Sequence, residues 1–174
     1  MRKFVLTGPP GSGKTSIITA LEQMGQNVLK EAATEVILRF QAQGIAEPWK
    51  LKEFQLKIVE LQKLREGELD HKGTTFLDRC IFDSLHYEED EKTREIILTA
   101  ARSAKYERQV FFIEMMHSEY EKTKVCRQTY AEAQEDGRQI EKLYQKYGFE
   151  LIRIPLGSIE ERAKAVLDYV KNYP

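Results

Sequence analysis

Apolar positions along this chain follow two alternating rhythms. Phe4-Val5-Leu6 is a short β-prone run followed at once by a Gly/Pro-rich turn, the pattern of a strand buried in a parallel sheet. Ile17, Ile18, Leu21 and Met24 then recur at helical spacing, with Gly25 as a C-terminal stop. The alternation repeats. A second strand is predicted over Asn27 to Lys30 and a helix from about Ala32 to Gln43, broken by Gly44 to Pro48. Leu51, Phe54, Ile58 and Leu61 mark one face of a longer helix ending near Gly67. Strands follow at Gly73 to Asp78, Val110 to Ile113 and Phe149 to Ile154. Helices are predicted around Ile96 to Ala104, Tyr130 to Tyr147, and after a Ser158…Glu161 capping box. The acidic run Glu88 to Glu91 reads as a solvated loop or a helix start. Between the fourth strand and the helix at Tyr130, His117 to Gln128 is polar and without clean period, the character of a lid spanning about 115–130. Strands alternating with helices imply an α/β fold, a parallel sheet covered on both faces.

Composition narrows the function. The 174 residues are expected to form one domain, 1–174, large enough to need no disulfide or metal staple. Lys plus Arg number 27 and Asp plus Glu 28, a balance that argues against a general nucleic-acid binder. Cys80 and Cys126 form no C-x-x-C pair and read as idle thiols in a reducing compartment. No stretch approaches a membrane span, and MRKFVLTG has too short an apolar run for a signal peptide, so a cytoplasmic location is expected. His71, His86 and His117 show no metal-ligand spacing.

The strongest chemical signal is Gly8-Pro9-Pro10-Gly11-Ser12-Gly13-Lys14-Thr15, a complete G-x-x-x-x-G-K-[ST] match between a predicted strand and a predicted helix. A triphosphate is wrapped by backbone N–H groups, so glycines at 8, 11 and 13 let the chain approach it. The helix beginning near Lys14 points its positive end at the phosphates. Lys14, expected to be exposed before nucleotide binds, would reach the β- and γ-phosphates, with Ser12 in the loop and Ser16 a phosphate contact. The Thr15 hydroxyl would ligate Mg²⁺. Such a site needs an acid at the end of a neighbouring strand, and Asp78 supplies it as a direct or water-mediated Mg²⁺ ligand, or else caps a helix. Arg79 beside it suits a phosphate or an anionic acceptor, or else lies at the surface.

GPPGSGKT with KEAATEVI and FLDRCIFDSLHY resembles the NadR-like P-loop ATPase/kinase domains, ribosylnicotinamide kinase-like, AAA-type ATP-binding proteins. The similarity continues through SEYEKTKVCRQTYAEA into YGFELIRIPLGSIEERAKAVL. The resemblance implies a three-layer P-loop NTPase fold with a five-stranded parallel sheet in the order 2-3-1-4-5. It implies that Glu31 stands where related nucleoside kinases place a carboxylate near the acceptor hydroxyl, a candidate general base. An acid in the first helical turn is the alternative. It also matches Asp78 and Arg79 to the family's DR pair, Asp83 to a further acid and Arg127 to the lid arginine. Lys122 and Lys124 beside it either assist or are simply solvated, as lysines in a polar segment more often are. The segment Lys122-Thr123-Lys124-Val125-Cys126 departs from the more acidic or glycine-containing family pattern. No N-K-x-D motif is present, which favours ATP over GTP. The turn Pro155 to Ser158 lies where related folds hold the base. Trp49 and Phe54 either stack an aromatic acceptor or pack in the core.

Two function classes follow. One is a small-molecule kinase that uses ATP and Mg²⁺, with Glu31 or Asp78 orienting a hydroxyl or phosphate acceptor of nucleoside or nucleotide type. The other is a regulatory ATPase or GTPase switch whose output is a conformation.

Overall fold

The computed structural model describes residues 1–69, 72–115 and 128–173. In chain order these form β1 (Arg2–Thr7), α1 (Lys14–Gln23), β2 (Asn27–Leu29), α2 (Ala32–Ala42), a 3-10 turn (Pro48–Lys50) and α3 (Phe54–Gly67). Then come β3 (Thr74–Asp78), a second 3-10 turn (Ile81–Leu85), α4 (Glu91–Ser103) and β4 (Gln109–Ile113). The chain closes with α5 (Tyr130–Lys146), β5 (Glu150–Ile154) and α6 (Ile159–Asn172). All strand pairs are parallel, in the order β2-β3-β1-β4-β5 that the family resemblance implies. Residues 122–126, with Arg127, His117 and the bulk of the expected lid, lie outside the described residues, as does His71.

Strand periodicity explains the layers. Side chains alternate across a strand, so a strand covered on both faces must be apolar at every position. Phe4, Leu6, Phe76, Phe111 and Ile113 turn to one face, where Ile17, Ile18 and Leu21 of α1 and Ala163 and Val166 of α6 meet them. Val5, Leu77, Val110 and Phe112 turn to the other, against Val59 of α3, Ile97 and Ala101 of α4, and Ile140 and Tyr144 of α5. A smaller cluster of Ala32, Val36, Phe54 and Leu61 joins α2 to α3. Phe54 is thus a core residue, 5% exposed, whereas Trp49 is 39% exposed.

A buried lysine interrupts the apolar pattern. Lys3 is buried on β1 and its ammonium lies 2.7 Å from Glu66 of α3. Glu66 also accepts from Gln62 at 3.0 Å and from the Tyr106 hydroxyl at 2.7 Å. That hydroxyl in turn accepts from Ile81 N–H at 3.2 Å. A buried ion pair persists only when its remaining lone pairs are satisfied, and here they are. The acidic run resolves as a helix start, because the Asp90 side chain accepts from Thr93 N–H at the head of α4.

Candidate functional site

The carboxyl ends of β1, β3 and β4 lie side by side, the place where an open α/β sheet binds its ligands. The loop Gly8 to Thr15 leaves the central strand there. Gly8 has φ 134°, and a Cβ on it would stand 2.5 Å from the Ile113 carbonyl oxygen, so only glycine fits against β4. Gly13, at φ 86°, is the left-handed residue from which α1 starts. The first helical hydrogen bond runs from Ile17 N–H to Gly13 O at 3.0 Å. The N–H groups of Lys14, Thr15 and Ser16 therefore lie outside the helical ladder, the donor arrangement that suits an anion.

Lys14 differs from its expected exposed position. It is 7% exposed and folded onto its own loop, donating to Gly8 O at 3.0 Å, Pro9 O at 2.8 Å and Ser12 Oγ at 3.3 Å. The physical reason is that an ammonium with three donors satisfies them on the nearest carbonyls. Burial lowers its pKa to about 7, and the positive Arg79 acts in the same direction.

Thr15 and Asp78 meet across the site, with Thr15 Oγ1 donating to Asp78 Oδ2 at 2.7 Å. Asp78 is 2% exposed, and its Oδ1 has no hydrogen-bond partner among the described residues. An ionised oxygen without a partner in that position is costly. Burial and the nearby Glu31 carboxylate raise the Asp78 pKa. A hard divalent cation relieves both, and the oxygen set of Asp78 and Thr15 fits Mg²⁺.

Arg79, immediately after β3, holds φ 62°, a left-handed conformation that costs a non-glycine residue roughly 1 kcal/mol or more. Its N–H donates to Leu6 O at 3.0 Å. Its guanidinium is gripped on two sides, with Nε 3.0 Å from Glu31 Oε1 and Nη1 3.1 Å from Asp83 Oδ1. Asp83 is itself buried and saturated. Its carboxylate accepts from Thr7 Oγ1 at 2.6 Å, Cys80 N–H at 2.9 Å and Tyr144 OH at 2.7 Å. The acid that the family resemblance singled out is therefore a post on which Arg79 is mounted.

Glu31 occupies the position before α2, but its side chain caps no backbone N–H. It accepts instead from Thr34 Oγ1 at 2.8 Å and pairs with Arg79. Lys14, Thr15, Glu31, Asp78 and Arg79 thus converge. Gly11, Ser12 and Ser16 complete the loop, with Ser16 exposed and Ser12 buried. Cys80 is buried, and burial pushes its thiol pKa well up, which keeps it inert.

Several further residues, to which the sequence assigned no role, join neighbouring elements. His86 Nε2 lies 3.3 Å from Asp136 of α5, which also accepts from Gln128 at 2.6 Å. A Cβ on Gly137 would lie 3.2 Å from Pro9 Cγ, so a glycine inside α5 lets that helix lean on the phosphate loop. Arg162 of α6, 3% exposed, donates to Ser12 O at 3.0 Å and Glu114 O at 2.6 Å. No local motif marks these positions, because each acts across the fold. Among the described residues, no group of three or more His, Cys, Asp and Glu side chains could by itself hold a metal ion, and no helix is long and apolar enough to cross a membrane.

The family model described as AAA domain matches residues 3–162. No curated protein matches the sequence. Among solved structures, the chain is similar to NadR in complex with NR, at a TM-score of 0.74 and 14% identity, covering 99% of this chain and 50% of that one. It therefore spans about half the length of that relative. It is also similar to deoxyadenosine kinase from M. mycoides bound to dcmp and dcdp (TM-score 0.67, 12% identity, 97% and 98% covered). A third match is shikimate kinase from Acinetobacter baumannii in complex with shikimate (TM-score 0.55, 16% identity, 100% and 96% covered). At these identities the likeness is one of fold.

Proposed function

The chain belongs to the AAA domain family, and on that premise we propose that it is a small-molecule kinase moving the γ-phosphoryl group of ATP to a hydroxyl acceptor. The observation that carries this reading is Glu31, a carboxylate held by Arg79 and Thr34 beside the phosphate loop. A carboxylate held there is placed to take a proton from an acceptor hydroxyl. The matched folds bear the names of kinases, which supports the same class.

In this reading the loop N–H groups and Lys14 bind the β- and γ-phosphates, and Lys14 exchanges its loop carbonyls for phosphate oxygens. Asp78 and Thr15 would hold Mg²⁺, which when bound neutralises charge on the β- and γ-phosphates. Glu31 accepts the proton of the acceptor hydroxyl. As the acceptor oxygen bonds to γ-phosphorus, the bond to the bridging oxygen breaks and ADP leaves. Arg79 orients Glu31, and Arg127 is proposed to stabilise charge on the transferring group. The turn at Pro155 to Ser158 holds the base, with ATP preferred over GTP.

Incubating the protein with Mg-ATP and a panel of nucleosides, vitamins and nucleoside monophosphates, with products read by mass spectrometry, tests this. A phosphorylated product supports the kinase reading. ADP and free phosphate alone, across the whole panel, would instead support a regulatory ATPase.

A further inference from the structure

Arg162 sits where a cation is electrostatically unwelcome. The capping box fixes the start of α6, with Ser158 accepting from Glu161 N–H and Arg162 N–H bonded to Ser158 O at 3.0 Å. That places Arg162 in the first turn, near the positive end of the helix dipole, where acids rather than cations are stabilised. It is also buried. A residue that breaks two local rules at once invites a reason beyond the packing of α6.

The reason lies in what it holds. Nη1 grips the carbonyl oxygen of Ser12, 150 positions away, and Nη2 grips that of Glu114, just past β4. In a trans peptide the C=O and the following N–H point in opposite directions. A guanidinium that draws Ser12 C=O outward therefore turns Gly13 N–H the other way. Gly13 is the left-handed residue that opens α1, and a Cβ there would be 3.5 Å from Arg162 Nη1, in ordinary contact. The strain-free choice of glycine thus leaves the loop a freely rotatable peptide, and Arg162 removes that freedom. The Glu114 contact fixes the same guanidinium to the end of β4, the strand against which Gly8 packs at the other end of the loop.

We propose that Arg162 is a positioning residue for polyphosphate: from behind the loop it presets the Ser12–Gly13 peptide with its N–H toward the anion and adds a buried positive charge beneath it. This rests on the phosphate-cradle reading above. It touches no substrate itself. Its ligand class is any di- or triphosphate, because the contact acts on the cradle and not on the base.

The test uses the full chain and two probes, tripolyphosphate for the cradle and adenosine for the base site, each followed by calorimetry. Arg162→Met should weaken tripolyphosphate binding by about tenfold or more, the scale of a lost charged hydrogen bond, and leave adenosine binding unchanged. Arg162→Lys keeps the charge but cannot reach both carbonyls, and should recover only part of the loss. A merely structural role would weaken both probes equally. Equal weakening, or wild-type tripolyphosphate affinity in either variant, overturns the proposal. A measurement on the unaltered protein needs no variant to fold: the Gly13 amide proton resonance should move downfield as tripolyphosphate is added, and a stationary Gly13 resonance overturns the proposal as well. Lys14→Ala separates the two readings. If it abolishes tripolyphosphate binding while Arg162→Met does not, only Arg162 has been misassigned. If the wild-type protein ignores tripolyphosphate, the cradle and the proposal fall together.

Discussion

Glu31 Oε1 stands 3.0 Å from Nε of Arg79, an ion pair that spans the gap between the ends of β2 and β3. Neither residue meets its partner by chance. Arg79 is held in a left-handed backbone by Leu6 O, and its far side is pinned by Asp83. Glu31 is presented by the turn before α2 with Thr34 as its second partner. Two carboxylates flank the guanidinium at Nε and Nη1, so in the proposed reaction Arg79 would orient Glu31 rather than capture a free anion.

Glu31→Gln should therefore abolish phosphoryl transfer while sparing nucleotide. The amide keeps the Thr34 contact but cannot take a proton, and loss of a general base costs about 10²- to 10⁴-fold. ATP affinity, measured by calorimetry, should remain at the wild-type value. A variant that transfers phosphate at the wild-type rate would move the base to Asp78 or remove it from the mechanism.

On the proposed function, Lys14 should make ATP binding depend on pH. Its pKa is lowered to about 7 in the free protein, and phosphate oxygens favour the ammonium and must raise it on binding. The sign follows. Below pH 7 the side chain is already charged and binding takes up no proton through it. Above pH 7 a proton must be taken up, and affinity falls by up to about tenfold per unit. Calorimetry at pH 8 in two buffers of different ionisation enthalpy should register that uptake, and Lys14→Ala should lose both the uptake and most of the affinity for triphosphate. Binding without proton exchange at pH 8 would contradict the lowered pKa.

The Asp83 post should couple stability to activity. Tyr144 is fully buried, and its hydroxyl serves both Asp83 and Cys80. Tyr144→Phe leaves a buried carboxylate one donor short, at a cost of about 1–3 kcal/mol. Each kcal/mol lowers Tm by roughly 2–4 °C in a chain of this size. Thermal denaturation reads the first effect. A fall in kcat without loss of ATP affinity reads the second, because Arg79 shifts with its support.

What was legible in the sequence divides along the range of the interactions. β1, β3 and β4 are apolar at successive positions, so their burial on both faces could be read directly. The phosphate loop is eight consecutive residues, Asp78 ends β3, Arg79 comes directly after it and Glu31 comes shortly after β2. By contrast, Lys3 and Glu66 are 63 positions apart and each reads as a surface charge until the fold joins them. Asp83 gains its role from Thr7 and Tyr144, 76 and 61 positions away. The burial of Lys14 runs against the expected exposure for a different reason: its partners include the carbonyls of Gly8 and Pro9, and backbone oxygens leave no mark in a sequence.

Gly137 and Gly67 give a paired test of how α5 bears on the site. Gly137 lies inside α5 and Gly67 is the last residue of α3; inside a helix, replacement by alanine gains roughly 0.5–1 kcal/mol from backbone entropy alone, and at the last position at most that. A Cβ on Gly67 of α3 would meet nothing within 4 Å, so Gly67→Ala should show that gain. On Gly137 the same atom presses on Pro9 at 3.2 and 3.3 Å. Gly137→Ala should therefore stabilise less than Gly67→Ala, because Pro9 must yield by a few tenths of an ångström. Gly137→Leu should displace the loop outright, lowering ATP affinity while α5 stays helical by circular dichroism. If both alanine variants gain equally and Gly137→Leu binds ATP as the wild type does, α5 exerts no control over the phosphate loop, and the Gly137–Pro9 contact is packing alone.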